Sequence, residues 1–213
     1  MPPSAAARVQ PVSVRDAILD AAERHFAGVG FAGAAVRDIA ADAGLRNQAS
    51  LYHYFTDKRA LYDAVIARAV AAILPAFDPP PVGDPATAGS LERLIDYLAA
   101  HPHVARLIER AGLEDDPHVR GMVEERLAPL FDAGVRVLRQ TSAAWPDAEL
   151  PHLAAGLYHL IFGYFASAPL LHAVMREDPY APPVLARQRR FVIEAVTRLL
   201  APQPYSTDHR RST

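Results

Sequence analysis

Gln48, Tyr52 and His53 lie close together in the chain, near two arginines, Arg37 and Arg46, and its single lysine, Lys58. These residue types suit hydrogen bonding and charge pairing more than bond making. A glutamine amide can bond N6 and N7 of adenine together, and an arginine can take guanine or a phosphate. Tyrosine and histidine reach phosphates or base edges. Asn47, Ala49 and Ser50 complete the stretch, and Asn47 is placed to cap a helix whose first turn holds Gln48 and Ala49. The candidate nucleic-acid contacts are therefore Arg37, Arg46, Asn47, Gln48, Ala49, Ser50, Tyr52, His53 and Lys58. Tyr54 and Phe55 read as packing, Leu51 and Leu61 as core.

Such side chains work only when a rigid unit presents them. Ile39 and Ala43 form the inner face of one helix, and Gly44 can stop it because glycine tolerates the left-handed backbone that follows a helix end. Leu51 and Phe55 form the buried face of a second, short helix and leave Gln48, Tyr52 and His53 outside. Two helices joined by a tight turn, the second bearing exposed polar groups, form a helix-turn-helix that a major groove admits. A first helix opens at the capping-box-like Ser13-Val-Arg-Asp16, continues through Ile18, Ala22, Phe26 and Val29, and is expected to end at Gly28-Val-Gly30.

The string Ile39-Ala40-x-x-Ala43-Gly44, then Leu51-Tyr52-x-Tyr54-Phe55-x-x-Lys58-x-x-Leu61, resembles the N-terminal domain of the TetR (tetracycline repressor) family of bacterial transcriptional regulators. The resemblance covers roughly residues 13–74. It implies a homodimer on a palindromic double-stranded DNA operator, most often as a repressor, released by a small-molecule effector, with Lys58 on a phosphate. Two departures stand out. Gly33-Ala34-Ala35 lacks the Ser or Thr usual before the second helix, and a lost side-chain cap costs about 1 kcal/mol. Between Gly44 and Leu51 the chain also carries one residue more than the usual spacing.

Composition narrows the alternatives. The chain has 213 residues, 51% of them hydrophobic, enough for one generous core or two small ones. It has no cysteine, which excludes disulfides and thiolate metal sites. No apolar run approaches the roughly 20 residues of a membrane span, and the first residues lack a basic-then-apolar signal pattern. The expectation is a cytoplasmic protein with no membrane partner and no cofactor. Net charge is -2, and residues 8–60 hold seven basic against six acidic side chains, so non-specific DNA affinity should be modest. Arg37, Arg46, Lys58 and Arg59 nevertheless cluster around the second helix, so the local field can be positive while the total is not.

Beyond the motif, a helix from Asp57 with Leu61, Val65, Ile66, Ala69 and Ile73 as its stripe links to the rest, and the Pro-rich stretch 75–89 reads as a loop. From Ser90 the pattern is helical with no period-2 segment. Asp116-Pro117 opens a long helix that Pro129 should kink. The last two helices are expected at Pro151 to about Met175 and Pro183 to Leu200, and the tail 203–213 is expected to be disordered. The spacing thus predicts an all-α fold: a three-helix helix-turn-helix DNA-binding domain at 8–60 and a helical effector-binding and dimerisation domain at 61–202, connected by the helix at 57–74.

By the family resemblance, Leu107, Arg110, Met122, Phe131, Tyr158, His159 and Phe162 are candidates to line an effector pocket. Leu157, Ile161, Tyr164, Phe165, Phe191, Val192, Ala195, Val196 and Leu199 are candidates for a dimer-forming four-helix bundle. Two other classes compete. A helical enzyme or metalloprotein could use His101, His103, His118, His152, His159 and His172 with Asp115 or Asp116, but no His-x-x-x-His pair or repeated Glu-x-x-His supports it. A dimeric interaction module without DNA affinity would explain the missing cap and the near-neutral first domain.

Overall fold

In the computed structural model, which describes residues 13–77, 86–142 and 145–201, every regular element among the described residues is helical. Helix α1 (Val14–Gly33) starts where the Ser13 hydroxyl accepts the Asp16 N–H at 3.1 Å. It buries Ile18, Leu19, Ala22 and Phe26. At Gly30 the backbone turns to φ 77, ψ 178, a region essentially restricted to glycine, and one further turn carries the chain to Gly33. The expected break therefore falls at Gly30 without ending the element.

Helix α2 (Val36–Asp42) has no side-chain cap at Ala35, as its missing hydroxyl implied. Its end is well closed: Gly44, at φ 75, donates to Ala41 O at 3.0 Å and Leu45 donates to Ala40 O at 2.9 Å. This crossed pair satisfies carbonyls that a helix end leaves open. The next element is a 3-10 helix, Gln48–His53, and not the short α-helix expected. Asn47 caps it through the Ser50 N–H at 3.0 Å. The Tyr54 and Phe55 N–H groups both converge on Leu51 O, closing the element after two turns. Leu51 and Phe55 are buried, whereas Tyr54, expected to pack, is 44% exposed.

Helix α3 (Lys58–Ile73) is capped by Asp57, which accepts the Ala60 N–H at 2.8 Å, and runs into a 3-10 turn at Leu74–Phe77. The stretch Lys58–Phe77 is, against expectation, long and apolar enough in composition to cross a membrane, with mean hydropathy 1.6. Here its apolar stripe of Leu61, Val65, Ile66, Ala69 and Ile73 is buried in the protein core.

Helix α4 (Ala86–Ala100) begins inside the stretch expected to be loop. Residues 78–85 of that loop, the N-terminal residues before 13 and the tail 203–213 lie outside the described residues. Helix α5 (Pro102–Ala111) starts on proline, and α6 (Pro117–Met122) is capped by Asp116, which accepts from the His118 and Val119 N–H groups. The kink expected at Pro129 is a π-helical stretch, Val123–Leu127, ahead of α7 (Ala128–Thr141). A widened turn accommodates the proline ring and its missing donor. The single helix expected from Pro151 to Met175 is two, α8 (Leu150–Ala166) and α9 (Ala168–Met175), bent by 75° where Pro169 cannot continue the ladder. Helix α10 (Pro182–Leu200) completes the fold.

One contiguous apolar cluster extends from Ile18 to Val192, so the N-terminal helices and the body share a core. Helix α1 packs along α5, and α5 packs on α8. Phe26 meets Tyr62 edge-on at 4.8 Å, and Phe31 meets the same ring at 5.1 Å. Leu138, Leu150, Leu153 and Ala154 form a smaller second cluster, near which Trp145 Nε1 donates to Leu199 O at 2.7 Å.

Candidate nucleic-acid interface and body cavity

The closed end of α2 and the Asn47 cap fix a tight turn from which the 3-10 helix projects. On it Gln48, Tyr52 and His53 are exposed, and Gln48 Nε2 donates to the Tyr52 hydroxyl at 3.1 Å. Two of the candidate base and phosphate contacts are thus a pre-formed pair. Arg46, Asn47 and Ala49 are exposed beside them, and Ser50 is half-buried, its hydroxyl donating to Asn47 at 3.1 Å. Arg37 is exposed on α2 and pairs with Asp38.

Lys58 differs from the rest of that set. Its ammonium donates to Ala32 O at 3.3 Å and sits 4.9 Å from the Phe31 ring centroid. Burial pulls its pKa below the ordinary lysine value, against the opposing pull of the Glu114 and Asp116 carboxylates. Its charge therefore faces the junction between head and body.

That junction is polar and specific. Phe31 donates its backbone N–H to Glu114 Oε1 at 2.6 Å, and Arg110 donates to Gly28 O at 3.1 Å. His118 Nε2 and Asp63 Oδ1 lie 2.8 Å apart, and the His118 ring approaches Phe31 at 5.9 Å. These contacts join the end of α1 and the start of α3 to α5, α6 and the loop between them. No motif marks Glu114 in the sequence, and its role arises from a contact 83 residues away.

The body carries a half-open cavity of about 950 Å³ lined by residues of α4, α5, α7, α8 and α10 and of the turns at Leu74–Phe77 and Val123–Leu127. Phe131, Tyr158, His159 and Phe162 line it, as expected. Leu107 is buried away from it, Arg110 is engaged with α1, and Met122 lines a smaller hollow with Asp63 and His118. Ile108, Leu127, Leu130 and Leu138 also line the large cavity, but helical spacing alone gave no signal to separate them from ordinary core.

The residues expected at a dimer face divide. Phe165 and Val192 are each 1% exposed and belong to the protomer's own core. Leu157, Ile161 and Val196 line the cavity. Tyr164 donates its hydroxyl to Pro179 O at 2.9 Å, and Ala195 is half-buried. Phe191, 55% exposed, and Leu199, 36% exposed, present apolar surface outward, as do Leu170 and Val174 on α9. Among the described residues no group of three or more His, Asp or Glu side chains is arranged to hold a metal.

A helix-turn-helix head carried on a helical body with a half-open cavity is the architecture of a DNA-binding transcriptional regulator. Residues 18–65 match the family model of bacterial regulatory proteins, tetR family. The HTH-type transcriptional repressor SCO4008 of Streptomyces coelicolor is 36% identical over 106 residues, which are 49% of this chain and 52% of that protein. The chain thus spans about half the length of this curated relative. The crystal structure of the transcriptional regulator SCO4942 from Streptomyces coelicolor aligns at TM-score 0.60 and 30% identity, covering 90% of this chain and all of that one. A TetR-like regulator from Rhodococcus sp. RHA1 shares the fold at TM-score 0.63 and 20% identity, over 92% of this chain and all of that one. The chain belongs to the TetR family of transcriptional regulators.

Proposed function

We propose that this protein is a repressor that binds a palindromic operator as a homodimer and releases it when a small molecule occupies the body cavity. The observation that carries the reading is the outward set of Gln48, Tyr52 and His53 on a capped turn, flanked by Arg37 and Arg46. The 3-10 helix enters the major groove, where Gln48 takes an adenine edge and Tyr52 and His53 take phosphate or base edges. Two copies related by a two-fold axis place these elements about 34 Å apart, one DNA turn. The exposed apolar residues Phe191 and Leu199 of α10 and Leu170 and Val174 of α9 form the self-association surface.

Residues 8–60 act as the reading head and 61–202 as the effector-binding and dimerisation body. The contacts of Glu114, Arg110 and His118 with the head supply a route by which a body conformation biases head position, so a ligand that prefers one conformation shifts the population able to bind DNA. A chain with this role acts in the cytoplasm, where its operator is.

The test is fluorescence anisotropy of the full chain against duplexes tiling the DNA beside its own gene, at several salt concentrations, followed by selection from a random-sequence pool. Tight, salt-sensitive binding to one palindrome, lost with Tyr52→Ala, supports the reading. A folded protein that selects no sequence from the pool overturns it.

A further inference from the structure

We infer that the body cavity takes an uncharged, predominantly apolar small molecule whose one polar end meets Tyr158 and His159. The inference rests on the effector-responsive reading above and adds the chemical class of the ligand. Among the described residues that line the cavity, none is Asp, Glu, Lys or Arg. The polar ones among them are Ser90, Thr141, Tyr158, His159 and Thr197. Three of these hydroxyls are already engaged: Thr141 donates to Val137 O at 2.8 Å, Thr197 donates to Ile193 O at 2.7 Å, and Ser90 accepts from Arg93 at 2.7 Å.

Tyr158 and His159 remain, adjacent in sequence with rings 5.1 Å apart, and Tyr158 stacks on Phe162 at 4.9 Å. Burial first, and then the Glu109 carboxylate, raises the Tyr158 pKa well above its ordinary value, so its hydroxyl stays a hydrogen-bond donor across the physiological range. The volume lies at the upper end of the roughly 300–1,000 Å³ of small-molecule sites. Walls this apolar offer water few partners.

Among the described wall residues no Asp, Glu, Lys or Arg would pair with an ion of either sign, and at pH 8, where an ordinary imidazole is neutral, taking an unpaired charge out of water is unfavourable. The expected order of affinity is the neutral molecule ahead of either ion.

The experiment uses the full chain without DNA, with Nile red as a neutral fluorescent reporter. It is displaced at pH 8 by 1-dodecanol, dodecylammonium or dodecanoate, all below their aggregation thresholds. The expected result is displacement by the alcohol at a concentration at least about tenfold lower than by either ion, a difference of about 1.4 kcal/mol. Ala155→Phe, which fills the cavity from α8, should weaken the alcohol about tenfold, and Val137→Lys should move preference to dodecanoate. Either ion binding as tightly as the alcohol overturns the proposal, as does an Ala155→Phe protein with unchanged affinity or a chain that binds no neutral probe. If Val137→Lys does not fold, the Ala155→Phe comparison still decides. Because the readout needs no operator, failure of the regulator reading appears separately, as absence of sequence-selective DNA binding.

Discussion

Glu114 accepts the backbone N–H of Phe31 at 2.6 Å, just where α1 breaks its helical course at Gly30. The break leaves that N–H without an intrahelical partner, and a carboxylate from the α5–α6 connection replaces it. The same carboxylate is 2.1 Å from where a Cβ on Gly30 would be, so the glycine and the acid fit only together.

Replacing Glu114 with Ala should destabilise the protein by about 1–2 kcal/mol, as expected for a hydrogen bond to a charged group that is half-exposed. Chemical denaturation measures it. Operator affinity should also become less responsive to whatever occupies the cavity, since the head loses a fixed contact with the body. An Ala variant as stable as the parent would show that this contact carries no weight.

Gly30→Ala should cost more. The backbone conformation alone disfavours a side chain by about 1–3 kcal/mol, and the added methyl collides with the Glu114 carboxylate and lies tightly against Arg110. In Gly30→Ala combined with Glu114→Ala the collision with the carboxylate disappears while the backbone strain stays, so a double-mutant cycle should show less than the sum of the single effects.

Asn47→Ala removes the cap of the 3-10 helix and should lower stability by about 1 kcal/mol, with Asn47→Asp retaining most of it. Thermal melting followed by circular dichroism distinguishes the two.

Arg46→Ala and Gln48→Ala should differ in kind. On the proposed DNA-binding reading, with Arg46 on a phosphate, its loss weakens binding on all sequences and reduces the salt slope by about one; with Arg46 on a guanine, it relaxes selectivity at that base instead. Loss of Gln48 should cost about 1–3 kcal/mol on the cognate operator alone, leave the salt slope unchanged and relax selectivity at one base pair. Anisotropy titrations on matched and single-substituted duplexes separate them.

Desolvation chiefly, with Arg106 and Arg24 adding to it and Glu23 opposing, holds the His103 pKa below its ordinary 6.5. The unfolded chain thus binds a proton that the folded one resists, and stability should fall as pH drops through about 6.5. His103→Gln should flatten this part of the pH–stability curve, as read from denaturation midpoints between about pH 5 and 7.5.

Much of the head was legible because its signals are local. The Ser13 and Asn47 caps, the Gly44 stop, and the burial of Leu51 and Phe55 each depend on residues within a few positions of one another. The body was less legible. Pro169 divides one apolar run into α8 and α9, and Leu157 and Val196, read as interface, line the cavity. Helical spacing tells which face of a helix is apolar and says nothing about what covers it.

By itself, then, the sequence determined that the chain is helical, where the Ser13, Asn47, Asp57 and Asp116 caps begin their elements, and the polar set that the short third element carries outward, because capping, glycine conformation and side-chain periodicity are short-range effects. The tertiary structure alone decided that Glu114 meets Phe31, that Lys58 turns toward Ala32, and which apolar residues surround empty space. Those outcomes depend on how helices distant in the chain pack together, and no property of a single segment encodes the shape its neighbours leave.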